Sequence, residues 1–122
     1  MADEAVTLAV GTGQRSNEGL ARRVWGEVKR RKGASQDGAE KEKMMHEAQL
    51  ELERSLEVFG ELGMELETGR TLLEMAQLHQ QVGRLDPARQ VAEKARAIFE
   101  KLEARGDLKQ AGGILSTLEG SS

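Results

Sequence analysis

Residues 69–99 constrain the fold more than any other stretch of the chain. Leu72, Met75, Ala76 and His79 recur three and four apart, as do Ala88, Val91, Ala92, Ala95, Ile98 and Phe99. That spacing puts each set on one face of an α-helix. Between the sets, Gly83 to Pro87 holds the residues of a tight turn. Alanine at successive contact positions lets two helix backbones approach closely, because little side chain stands between the axes. The stretch therefore predicts two amphipathic helices packed antiparallel.

The rest of the chain has the composition to continue in this way. Aromatic residues make up 2% (Trp25, Phe59 and Phe99) and charged residues 32%, so a sheet rich in aromatic and β-branched side chains is not expected. An all-α fold with a thin core is. The absence of cysteine rules out a disulfide framework, a thiolate metal site and a cysteine nucleophile. No apolar run reaches the roughly 18 residues of a membrane span, and Met1-Ala-Asp-Glu-Ala lacks the basic start of a signal peptide. A cytoplasmic protein without membrane contact is expected. The formal net charge of −3 divides into +3 over residues 1–33, −7 over 34–67 and +1 over 68–122. A nucleic-acid binder would be basic overall, so no nucleic acid is expected as a partner.

Internal repetition extends the reading along the chain. A shift of 40 residues places Phe59 on Phe99, Leu62 on Leu102 and Ala48 on Ala88. A shift of 50 places Gly19 on Gly69, Trp25 on Met75, Gly26 on Ala76 and Gly33 on Gly83. Six helices follow, at 2–12, 17–32, 39–62, 66–82, 86–104 and 107–119, in one domain spanning 1–122. Its parts are a half repeat (2–13), a repeat at 17–63 carrying an insertion at 34–47, a repeat at 66–104 and a capping helix at 107–119. Trp25 is expected as the apolar anchor of its helix, with Met45, Ala48, Leu52, Ser55, Val58 and Phe59 on the buried face of the next. Asp107 is expected as an N-cap. Turns are expected near Gly13, Gly33, Gly63, Gly83 and Gly106, with Gly33 and Gly83 in the left-handed conformation that ends helices.

Counted from Gly69, small residues fall at the eighth, twentieth and twenty-seventh positions (Ala76, Ala88, Ala95), large apolar ones at the fourth and seventh (Leu72, Met75), and glycine at the fifteenth (Gly83). In this the chain resembles the tetratricopeptide repeat family. The 40-residue period also resembles repeats at the C-termini of large bacterial signalling proteins, where they follow kinase, cyclase or ATPase modules. The resemblance implies antiparallel helix hairpins stacked as a short right-handed solenoid. It also implies a non-catalytic scaffold whose first helices line a groove for a protein or peptide. The groove positions of the family fall on Leu20, Arg23, Glu27, Arg30 and Arg31 in one repeat, and on Arg70, Leu73, Gln77, Gln80 and Gln81 in the next. Glu27 stands where members that clamp a peptide carboxylate have asparagine, and Glu74 adds a second anion, so that subtype is not expected.

Other candidate chemistry is thin. Gly11-Thr12-Gly13 followed by Gly19 lacks the preceding strand and following lysine of a phosphate loop and reads as a turn. His46 and His79 have no second histidine or cysteine at ligand spacing, and no serine has an arguable base and acid. Neither metal, cofactor nor catalysis is expected. The basic cluster Arg22, Arg23, Lys29, Arg30, Arg31 and Lys32 suits a helix C-terminus and also suits an acidic or polar peptide. Val6, Leu8 and Val10 lie on a first helix with no helix before it, which makes them candidates for self-association into a homodimer. That is the alternative function.

Overall fold

The computed structural model describes residues 15–121. The expected helix at 2–12, with Val6, Leu8 and Val10, lies outside the described residues. Within them are five α-helices and no strand: α1 Arg15–Ala34, α2 Gly38–Leu62, α3 Glu65–Gln81, α4 Leu85–Leu102 and α5 Arg105–Ser121. The all-α expectation holds for these residues, with bounds within about two residues of those read from the sequence. The helices fall into two compact units that divide between Met64 and Glu65.

In the first unit α1 lies against α2, and the contacts rise along one helix as they descend along the other. Gly19 sits under Phe59, Gly26 under Leu52 and Gly33 under Met45. A methyl group on these glycines would lie 2.8 Å from Phe59 Cζ, 2.8 Å from Leu52 Cγ and 2.9 Å from Met45 Cε. Seven residues make nearly two turns, so the three glycines form one row on α1 and Met45, Leu52 and Phe59 one row on α2. The large side chains rest directly on the α1 backbone. The Ser55 hydroxyl, buried in the same seam, donates to the Gly19 carbonyl at 2.9 Å. The buried face of α2 consists of the six residues expected from their spacing.

Two expectations about α1 are corrected. Its buried residues are the three glycines alone. Trp25 is only half-buried, with the Lys29 ammonium 4.9 Å from its ring centre, so it does not anchor the helix. Gly33 is not a left-handed terminator either. It lies inside α1 because Met44 and Met45 occupy the space of its missing side chain, and the left-handed glycines are Gly38, Gly63 and Gly83. The insertion at 34–47 is a short turn at 35–37 followed by the first ten residues of α2.

The second unit packs α3 on α4 and adds α5. Gly69 repeats the glycine motif, since a methyl group there would lie 2.7 Å from Phe99 Cε1. Beyond it Leu73, Ala95, Phe99 and Ala111 form one buried cluster, and Ala76, Ala92 and Leu115 another. His79 is buried. Helix α3 ends as expected: Gly83 has φ 79°, its N–H donates to Gln80 O, and Arg84 N–H donates to His79 O at 2.8 Å, a Schellman closure. The link from α4 to α5 departs from expectation. Glu103, not Gly106, takes the left-handed conformation at φ 55°, at a strain cost of about 1 kcal/mol. Helix α5 then starts at Arg105, so Asp107 lies within its first turn and is not the N-cap. Its carboxylate instead accepts from Arg70 at 3.2 Å. The helix runs on through Gly120 to Ser121.

These glycines divide into two kinds with opposite expected responses. Gly26→Ala forces a methyl into Leu52 and should lower unfolding stability by about 1–3 kcal/mol, as overpacking does. Gly112 is exposed on α5 with nothing within 4 Å of the added group. Gly112→Ala should therefore raise stability by up to about 1 kcal/mol through helix propensity. Urea unfolding of the two variants checks the sign.

Candidate functional site

The residues aligned with groove positions lie on α1 in the first unit and on α3 in the second, and each set stands by itself. On α1, Leu20, Arg23, Glu27 and Arg31 recur at intervals of three and four, with Arg30 beside Arg31, so they share one side of the helix. That side borders the glycine row. Arg23 reaches over the Phe59 ring, 5.7 Å from its centre, and so covers the side chain that fills Gly19. Glu27 and Arg31 form an i,i+4 pair at 2.9 Å, in which the Arg31 side chain remains 71% exposed. Arg30 is half-buried and Leu20 sits at the edge of exposure. The surface is thus a cationic strip with one apolar residue, its charge concentrated in the last turns before Gly33.

The α3 set is different. Leu73 is 5% exposed and packs with Ala95, Phe99 and Ala111. Alanine at 111 leaves room for it, and its side chain serves the core of the unit rather than a surface. Arg70 is exposed but engaged by Glu67 at 3.0 Å and Asp107 at 3.2 Å. The hydrogen bonds it donates to Asp107 lead in raising its pKa, with those to Glu67 adding to them, so it stays fully protonated. Gln77, Gln80 and Gln81 are half-buried.

The other flank of α1 carries interhelical ion pairs that sequence spacing alone did not expose. Arg15 pairs with Glu61 at 2.8 Å, Arg22 with Glu51 at 3.0 Å, and Lys29 with Glu47. The pairs match residues across the antiparallel seam, and can be read only once the register Gly19–Phe59 is known. Between them lies a depression of about 160 Å³ lined by Arg15, Glu18, Arg22, Arg54, Glu57 and Val58. Its arginines at 15 and 22 are spent on carboxylates, which makes it a structural clasp. Among the described residues, no group of three or more histidine or acidic side chains is placed to hold a metal ion. No helix among them is long and apolar enough to cross a membrane. Compared with protein-family models the chain matches none, and no curated protein matches it either.

One titration reports this flank directly. The hydrogen bond from Lys29 lowers the Glu47 carboxyl below the ordinary glutamate value, and the nearby charges of Lys29, Lys43 and His46 act in the same direction. A depressed carboxylate pKa means the pair supports folding at neutral pH and loses that support as pH falls through the folded-state pKa. In a carbon-detected NMR titration Glu47 should titrate below the ordinary glutamate value, and Lys29→Ala should raise it toward that value. Titration at the ordinary value in the unaltered protein would refute the pairing.

Proposed function

We propose that the chain is a non-catalytic protein-binding module of the tetratricopeptide type. Its helices would stack as a right-handed solenoid, and it would bind an acidic or polar peptide through the strip Leu20, Arg23, Glu27, Arg30 and Arg31. The observation that carries this reading is the division of labour on α1. One flank is tied to α2 by three ion pairs, the glycine row is filled by α2, and the remaining cationic side keeps its apolar member Leu20 and the Arg31 guanidinium exposed. A lone cationic strip is common on helices. In this one Arg23 already lies over the Phe59 ring, and a side chain placed in advance has less entropy to lose on binding.

In the second unit Arg70, Gln77, Gln80 and Gln81 would form a polar patch of their own on α3, with Leu73 supporting it from inside. In this reading the partner is a protein segment and no cofactor takes part. A place beside a signalling module of a larger protein follows from the resemblance to repeats of 40-residue period.

The test is a panel of acidic, neutral and basic peptides, each with one leucine or isoleucine, assayed by fluorescence anisotropy. Acidic peptides should bind, with affinity falling as salt is added. Arg30→Glu together with Arg31→Glu should weaken them by roughly tenfold or more, about 1.4 kcal/mol. Binding that ignores both salt and the charge reversal, or no binding by any acidic peptide, would refute the reading.

A further inference from the structure

Val24 lies within the proposed binding strip and is its most exposed apolar residue, at 51% against 36% for Leu20. Leu20, Val24, Glu27 and Arg31 recur four, three and four apart, the interval of a seam between paired helices. Half-buried Ala21 and Val28 flank that seam on one side, and Arg23 and Arg30, seven residues apart, on the other. Helix α2 leaves this side open, because it rests on the glycine row. We propose, on the reading of this strip as the binding surface, that its partner docks as an amphipathic α-helix, antiparallel to α1 and with its acidic end over Arg30, Arg31 and Lys32.

Hydrogen bonding favours a helix over an extended chain. An extended peptide brings an unpaired C=O at every residue and an unpaired N–H at every residue but proline, and covering them without partners costs free energy. The strip offers guanidinium donors, which suit carbonyls and carboxylates. Glu27 is its one acceptor side chain, and it is already engaged by Arg31 at 2.9 Å. The N–H groups of an extended chain would therefore go unmet against this surface. A helix has its main chain paired within itself and can lay a dry face on Leu20 and Val24, as helix-recognising surfaces do. Charge then sets the direction. Arg30, Arg31 and Lys32 follow one another at the C-terminal end of α1, and Arg31 and Lys32 are exposed. Acidic side chains are favoured in the first turn of a helix. In an antiparallel partner the same carboxylates support its N-terminus and accept from these cations. Leu20 and Val24, about one turn apart, then meet apolar side chains one turn apart further along the partner.

Three acidic peptides of one composition test this against the full chain, by fluorescence anisotropy and far-UV circular dichroism. In the first, leucines recur three and four apart and the acidic residues fill the opening turns. In the second the leucines are scattered around the helix, and in the third the acidic residues move to the closing turns. The first should bind about tenfold more tightly than the second, as burial of an apolar side chain allows, and should gain helix on binding. It should bind about threefold more tightly than the third, because its charges suit both the helix dipole and the basic end of α1. Val24→Glu should weaken the first peptide by about tenfold, while Leu50→Glu, on the exposed side of α2, should leave it unchanged. The peptide comparison uses the unaltered chain and so does not depend on how Val24→Glu folds. Equal binding of the first two peptides, binding without a gain of helix, or indifference to Val24→Glu would overturn the helical partner and leave an acidic-peptide surface standing. Equal binding of the first and third would overturn the antiparallel direction. Failure of all three to bind would overturn the surface itself.

Discussion

The structure depends on large side chains resting on glycine. Phe59, Leu52 and Met45 meet α1 where Gly19, Gly26 and Gly33 offer bare backbone, and Phe99 meets Gly69 in the same way. With three aromatic residues in the chain, little apolar volume is at hand. Glycine uses it well, because an unbranched backbone lets each large side chain bury most of its surface. Such burial contributes about 1.5–3 kcal/mol per side chain. The cost is conformational: each helical glycine gives up about 0.5–1 kcal/mol relative to alanine. The contact outweighs that cost only while the large side chain fills the notch.

Close approach sets the rest of the first unit. It brings the flank of α1 within reach of α2, so that Arg22 and Lys29 find Glu51 and Glu47. These pairs are partly buried and help to set the register, since each cation meets its carboxylate in one alignment of the helices. A slip of four residues would set Gly19, Gly26 and Gly33 against Ser55, Ala48 and Lys41 and separate the pairs. The second unit reaches the same end by another route. Alanine replaces glycine at Ala76, and Ala111 of α5 closes over Leu73.

The helices and the buried face of α2 were legible in the sequence because leucine, valine and phenylalanine announce themselves through their spacing. The buried face of α1 was not, since glycine carries no hydropathy signal. A search for apolar residues settles instead on Trp25, which lies on another side of the helix. The seven-residue interval of Gly19, Gly26 and Gly33 was visible, and matched against Met45, Leu52 and Phe59 it gives the register. Asp107 followed the rule for a cap, but a guanidinium across the unit competed for its carboxylate and Glu103 supplied the turn. Of the candidate residues, the α1 set shares one side of its helix, as its spacing of three and four implies. Leu73 was misplaced because its burial depends on α5, which no position within one repeat records.

The most direct test of the glycine seam is a double-mutant cycle on Gly69 and Phe99, read by urea unfolding. If the ring rests on bare backbone, Gly69→Ala should be strongly destabilising beside Phe99 and nearly neutral beside Phe99→Leu, which lacks the ring atoms in contact. The coupling should exceed about 1 kcal/mol. Costs that add to within about 0.5 kcal/mol would mean that glycine at this position is not there to receive the ring, and would contradict the account.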